Sequence, residues 1–277
     1  SDNILLFQGG TATNQIPDQA SITLRATPSV LEKAIKTDSV TLSQKEDTLV
    51  ITAHGKAGHI ATAQNAVNAI GVLMKYLLKY DLLENHSDCS IFQQDESMVN
   101  SPCGKIFQLS QNEALANDVR YGCGIAKTED GFLKFSFNSR CPVALNEGDA
   151  LQKIQEYAAA NGFAAEETRV LPSNYFPKDR PVIQILHQVF GEITGLHLEP
   201  QIFTAGTHAR KLPNAVAFGP GIPDQSYYRD EEGLFPDGHG SCHMPDEAQS
   251  IPALKEALRI YIRGVIALDG QDLSKEE

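Results

Sequence analysis

Two hydrophobic periods alternate along this sequence, and that alternation limits the fold more than any other feature. Ala20, Ile22 and Leu24 occupy every second position, the pattern of a strand with one buried face. Val67, Ile70, Leu73 or Met74, and Leu77 recur at steps of three and four, which predicts a helix from about Asn65 to Tyr80 with one buried stripe. A buried strand face and a buried helix stripe each need an apolar partner, and a sheet covered by helices serves both. Other segments follow the same two patterns. The extended run Ile4 to Phe7 ends at Gly9-Gly10, and Thr27-Pro28-Ser29 opens a helix through Val30, Leu31, Ala34 and Ile35. Val40-Thr41-Leu42 and Leu49-Val50-Ile51-Thr52 flank the polar turn Gln44 to Asp47. Phe132, Phe135 and Phe137 lie in a β-rich run ending at Cys141-Pro142, and Gly148 to Gly162 reads as a helix with Leu151, Ile154 and Tyr157 on one face. The expected class is α/β (α+β), a sheet covered by two helices on one side.

Near Tyr175-Phe176-Pro177-Lys178-Asp179, proline and charge separate this block from a second one, so two domains are expected, 1–178 and 179–277. The second block offers a helix from Pro181 to Thr194, a Gly/Pro-rich stretch from Thr204 to Pro223, and a helix from Ile251 to Leu268. With few strands of its own, it reads as part of a domain.

Charge narrows the function. Lys+Arg number 23 against 35 Asp+Glu, a formal charge of −12 without a basic run, which argues against a nucleic-acid reader. Lys75, Lys79 and Arg263 interrupt the best apolar stretches before the ~18 residues of a membrane span, so no membrane association is expected. The 5 cysteines form no CxxC pair and suit reduced thiols, and the opening residues show no secretory pattern, which together give a cytoplasmic expectation. The stripe of the 65–80 helix serves an internal core or a subunit interface, so a dimer is an open expectation.

Several residues carry chemistry. In Asp237-Gly-His-Gly-Ser-Cys-His-Met-Pro-Asp-Glu247, the glycines and Pro245 favour a loop over a helix, which leaves His243 as the better metal-ligand candidate and a solvated loop histidine as the plain alternative. Glu231-Glu232 and His86/Asp88 sit in acidic, turn-like surroundings and are set aside as ligands. His54-Gly-Lys-Ala-Gly-His59 lies between a strand end and a helix start, where a neutral histidine either donates to a developing oxyanion or serves as a cap or core residue. Arg140, ending the strand Phe135 to Arg140, either binds a carboxylate through both prongs of its guanidinium or makes a surface ion pair. Phe203-Thr-Ala-Gly-Thr-His208-Ala-Arg210 has the look of a backbone anion cradle, without the spacing of a P-loop.

Taken in order, Gly9-Gly-Thr-Ala-Thr-Asn14-Gln-Ile-Pro17-Asp18, His54-Gly-Lys-Ala-Gly-His59, Asn68-Ala69, Asn138-Ser-Arg140-Cys-Pro142, Ala205-Gly-Thr-His-Ala-Arg210, Pro213-Asn214-Ala-Val-Ala-Phe-Gly219 and His243-Met-Pro-Asp-Glu247 resemble the dinuclear-zinc peptidases, which include aminoacylases, glutamate carboxypeptidases and dipeptidases. Within them the sequence is most similar to bacterial dipeptidases of the PepV type, from about residue 9 to 268. The resemblance implies a lid domain over residues 1–178, inserted in a split catalytic domain whose C-terminal segment is 179–277. It places the remaining metal ligands, a His-x-Asp motif, a bridging Asp, a Glu-Glu pair and another Asp, before the lid. His243 then matches a metal ligand, Asn14 and His59 match lid residues that contact the substrate carbonyl, and Arg140 matches the holder of the terminal carboxylate. Gly206, Thr207, His208 and Arg210 match a loop lining the substrate site. The implied cofactor is a pair of zinc ions, with manganese or cobalt as substitutes, and the implied substrate is a dipeptide or short peptide. Two departures stand out: Ala63 and Ala66 replace the usual Pro and Gly after the lid histidine, and Ala205-Gly-Thr-His208 replaces Gly-Gly-Thr-Tyr. An N-acyl amino-acid deacylase and a non-catalytic amino-acid or peptide-binding module are the alternatives. The chain alone is expected to be nearly inactive, since a catalytic zinc generally takes three protein ligands.

Overall fold

The computed structural model describes residues 3–109, 111–112, 118–165, 169–171, 173–202, 207–219, 233–236, 240 and 246–271. They divide into two compact units, Ser1–Leu171 and Pro172–Glu277.

The first unit is built on a six-stranded sheet in the order β4-β5-β3-β1-β7-β8, with every neighbouring pair antiparallel. Its strands are β1 (Ile4–Gly9), β3 (Gln19–Arg25), β4 (Val40–Lys45), β5 (Thr48–His54), β7 (Arg120–Glu129) and β8 (Phe132–Arg140). A separate two-stranded ribbon joins β2 (Gln15–Ile16) to β6 (Gly58–His59). The expected alternation is present: Ala20, Ile22 and Leu24 pair with Ala53, Ile51 and Leu49, and all six are buried. Phe7 stands opposite Ile22, which continues the row into β1. The β7–β8 hairpin turns at Asp130-Gly131, both with positive φ (54° and 81°), the conformation that an Asp-Gly pair adopts most readily.

Helices cover one face of this sheet. After α1 (Pro28–Lys33), α2 (Ala69–Lys79) buries Ile70, Leu73, Met74 and Leu77 in the same core as Phe7, Ile22 and Ile51. These four positions are thus covered within the unit. The hydroxyl of Tyr76 accepts from the Ile35 N–H (2.9 Å) and donates to the Ile35 carbonyl (2.8 Å), tying α2 to the segment after α1. Truncating a side chain in such a core removes transfer energy and leaves a cavity, so Leu73→Ala is expected to lower unfolding free energy by about 3 kcal/mol. Urea denaturation measures this, and a loss under about 1 kcal/mol would contradict a closed core at this site.

Two boundaries differ from the sequence expectation. α2 begins at Ala69 instead of near Asn65, because Ile60–Asn65 forms a 3-10 run and Val67 exchanges both backbone hydrogen bonds with Lys56 (2.9 and 3.0 Å). Asn68 then caps the helix through its Oδ1, which accepts from the Ile70 N–H at 3.0 Å. Residues 86–88, expected as a turn, open α3 (His86–Val99). The inward positions of α3 are Phe92, Asp95, Met98 and Val99. An acid in the buried stripe breaks the apolar period, so the helix has no clean signature. A second core cluster, Met98, Phe107, Leu109, Val119, Tyr121 and Leu145, packs against α4 (Glu147–Ala160) through Ala150, Ile154 and Tyr157.

In the second unit the described elements are α5 (Pro181–Thr194), a 3-10 turn (His208–Lys211) and α6 (Ile251–Asp269). α5 presents Val182, Leu186, Val189 and Phe190, and α6 presents Ala257, Ile260 and Gly264, as buried positions. At Gly264 an added Cβ would come 3.2 Å from Leu186 Cδ2, so the two helices meet closely there. No strand occurs among the described residues of this unit.

Candidate substrate-binding site

The face of β7 and β8 turned away from the helices bears Arg140 and the ribbon that carries Asn14 and His59. Cys123 and Ala126 on β7, with their partners Phe137 and Phe135 on β8, belong to the helix-covered core. Strand side chains alternate, and directly paired residues share a face. The pairs Gly122–Asn138 and Arg120–Arg140 therefore lie on the opposite face.

Glycine lets the ribbon sit on that face. A Cβ at Gly122 would fall 2.5 Å from Ile16 Cδ1 and 2.7 Å from Ile60 Cδ1, and one at Gly124 would fall 2.5 and 2.7 Å from the carbonyl oxygens of Ala12 and Thr13. Ile16 and Ile60, both buried, anchor the ribbon to β7 in the space these glycines leave. Within it Gln15 pairs with His59 and Ile16 with Gly58, and the Ile60 N–H donates to the Asn14 carbonyl at 3.0 Å. Asn14 and His59, distant in sequence, become neighbours across this short ladder.

The surrounding backbone is tied down at both ends. The Gly55 N–H donates to the Asp18 carbonyl (2.7 Å) and the Ala69 N–H to the Pro17 carbonyl (2.9 Å). Asn68, besides capping α2, donates from Nδ2 to the Cys123 carbonyl at 2.8 Å, which links the helix start to β7. Where Ala63 and Ala66 stand, the Ala66 N–H donates to the Ala63 carbonyl (3.0 Å). A Cβ at Gly58 would lie 2.6 Å from that of Ala66, so the extra methyl is accommodated by a facing glycine. Asn14 is exposed, while His59 and Arg140 are half-buried and each has an interaction within the protein. His54, at the end of β5, lies 3.2 Å through Nε2 from Thr41 Oγ1.

The structure thus brings Asn14, His59 and Arg140 onto one face of one unit. Thr207, His208 and Arg210 belong to the second unit, where the Arg210 N–H donates to the Thr207 carbonyl at 3.3 Å. Gly206, His243 and Glu231-Glu232 lie outside the described residues. Among the described residues no three His, Cys, Asp or Glu side chains assemble as a metal site. They do not fit a zinc ion on their own. What the face offers is a guanidinium at Arg140, a carboxamide at Asn14 and an imidazole at His59, groups that bind anions and donate hydrogen bonds.

Two residues of interest were missed by sequence reading. Arg120 stands directly opposite Arg140, a fact that follows only once the Asp130-Gly131 hairpin and its register are known. Asp95 is 2% exposed, its Oδ1 has no hydrogen-bond partner, and burial pushes its carboxyl up to about 7. It lies among core residues, and its signal in the sequence is an acid at the centre of the spacing Phe92, Asp95, Met98.

No family model matches the chain. Over 272 residues it is 25% identical to a Staphylococcus saprophyticus protein named "Putative dipeptidase SSP1012", covering 95% of this chain and 55% of that protein. Over 273 residues it is 22% identical to "Putative dipeptidase YtjP" of Bacillus subtilis, covering 96% and 55%. The chain thus spans about half the length of the curated relatives it matches. No described helix is long and apolar enough to cross a membrane.

Proposed function

We propose that the chain is part of a metal-dependent dipeptidase, with 1–178 as the lid that clasps the substrate and 179–277 as the C-terminal segment of the catalytic domain. The observation that carries this reading is the ribbon, which sets Asn14 beside His59 on the face that also bears Arg140. The two relatives named as dipeptidases support it. On α6, Leu254, Leu258, Ile262 and Val265 recur at three- and four-residue steps and are all at least half exposed, which suits a segment of a larger domain.

In this reading Arg140 pairs with the free C-terminal carboxylate of the peptide and fixes its position, which favours short substrates. Asn14 Nδ2 and a ring N–H of neutral His59 donate to the scissile carbonyl oxygen as it gains charge. The ladder and the hydrogen bond from the Ile60 N–H to the Asn14 carbonyl hold their backbones together. Zinc, when bound, supplies Lewis-acid chemistry; of the residues in this chain His243 is the proposed ligand, and the others would come from polypeptide beyond it.

The test is made on the gene's full-length product. Metal-dependent hydrolysis of Ala-Ala is expected there, and the isolated 277-residue chain is expected to be inactive. Asn14→Ala and His59→Ala should each lower kcat about 100-fold with a smaller change in KM, as loss of an oxyanion donor does. Arg140→Gln should chiefly raise KM. Full activity in the isolated chain, or a full-length product that hydrolyses no peptide, would refute the proposal. Preference for N-acetylalanine over Ala-Ala would assign the same residues to an N-acyl amino-acid deacylase.

A further inference from the structure

We propose that Arg120 is a second carboxylate-binding residue, and that Arg120 and Arg140 together hold one carboxylate group of the substrate. The inference rests on the reading of Arg140 given above and adds a residue to it. Arg120 opens β7, Arg140 closes β8, and the two are direct cross-strand partners on the face that carries the ribbon. Like charges placed directly opposite across a ladder disfavour it, and a carboxylate that meets both offsets the repulsion. The same hairpin shows the solution at its other end. Lys127 stands opposite Lys134, and a single carboxylate, that of Glu129, meets both: Oε1 lies 2.6 Å from Lys127 Nζ and Oε2 lies 3.3 Å from Lys134 Nζ. Hydrogen bonds from Lys127 and then Lys134 hold the Glu129 carboxyl below its ordinary range.

The arginine pair has the same cross-strand placement and a side chain better suited to a carboxylate. Each guanidinium is a planar fork that fits a carboxylate through two parallel N–H donors, and one carboxylate has lone pairs enough for both forks. Both arginines are half-buried, so a bound anion is partly shielded from water. Both already have interactions within the protein, and the inference rests on their adjacency on this face. Along each strand they lie two residues from the Gly122–Asn138 pair, on which the ribbon sits. That step is about 6.8 Å, which keeps an anion held by the pair close to the ribbon that carries Asn14 and His59.

Isothermal titration of the full-length product, freed of metal by chelation so that Ala-Ala is not hydrolysed, tests the pair with three probes: Ala-Ala, N-acetylalanine, and Ala-Ala with its C-terminus amidated. The wild-type chain is expected to prefer the two carboxylates. Arg120→Gln should weaken both about 10-fold or more and leave the amide unchanged, while Arg120→Lys, which keeps the charge and loses the fork, should weaken them by less than Arg120→Gln does. A purely structural role would instead lower the melting temperature and weaken all three probes alike, and that result would overturn the proposal. If Arg140→Gln removes the preference and Arg120→Gln does not, the pair fails while the reading of Arg140 stands. If N-acetylalanine binds through both arginines and Ala-Ala does not bind, the pair stands and the dipeptide reading fails. Absence of carboxylate binding overturns the pair. Should Arg120→Gln not fold, NMR titration of the wild-type arginine Nε–H resonances decides: both should shift with one Kd, and an unmoved Arg120 would overturn the proposal.

Discussion

Asp95→Asn is expected to gain about 3 kcal/mol of stability relative to the wild-type chain between pH 4.5 and pH 8. The cause is burial. Asp95 is 2% exposed on α3, and desolvation is what raises its carboxyl; its charge in turn adds to the burial that pushes up the Cys123 thiol on β7 and the Tyr157 phenol on α4. Tyr121, 6% exposed on β7, has a hydroxyl without a hydrogen-bond partner, as does Asp95 Oδ1. The folded carboxyl titrates near 7, well above an unfolded aspartate at about 3.9. The folded state therefore binds this proton more tightly, and its stabilising effect is fully present below the unfolded value. As pH rises through the window from about 4 to about 7 that stabilisation is lost, at about 1.4 kcal/mol per pH unit, and above it the loss is complete. Asparagine has the same shape and does not titrate, so its contribution is flat. Urea denaturation of both proteins at pH 4.5, 6 and 8 measures the divergence, and parallel stability profiles would show that Asp95 is not held neutral by the fold.

Gly10→Ala is expected to cost about 4 kcal/mol, the sum of two effects. Gly10 has φ of +71°, and a Cβ built there falls 1.9 Å from the Gly124 carbonyl oxygen, a backbone atom in the middle of the sheet. Side-chain repacking cannot relieve that contact. The loop of residues 11–14 must lift from β7, and with it the ribbon register that holds Asn14 against His59. Gly162 is the control, because its φ is +77° but nothing lies within 4 Å of the added Cβ. Gly162→Ala should show only the backbone term, about 1–2 kcal/mol. Thermal and urea melts of the two variants separate the effects; equal losses would mean that the Gly10–Gly124 approach contributes nothing.

The candidate site was legible in the sequence to a limited degree. Asn14, His59 and Arg140 stand out as motif residues, and the strand end that carries Arg140 follows from the β-rich run before it, whereas the two-residue strands β2 and β6 have no pattern to announce them. Arg120 does not stand out, because an arginine at a strand start resembles any surface cation until its partner is known. α3 escaped notice for a related reason: Asp95 occupies an inward position where the period calls for an apolar residue, and only the packing shows that it is buried. Asn68, visible as a helix cap, also donates to the Cys123 carbonyl, a contact that no spacing announces.

Periodicity belongs to a single segment, so the sequence alone determined the strands and helices whose apolar period is unbroken, such as β3 and the stripe Ile70 to Leu77 of α2, and which of their faces are apolar. The Asp130-Gly131 turn is equally local, since both residues accept positive φ, although the sequence reading passed over it. Only the tertiary structure decided that β1 lies between β3 and β7, that the ribbon rests on Gly122 and Gly124, and that two arginines face the same side. Those outcomes depend on how closely distant backbones approach and which side chains they bury together, and no local pattern encodes either.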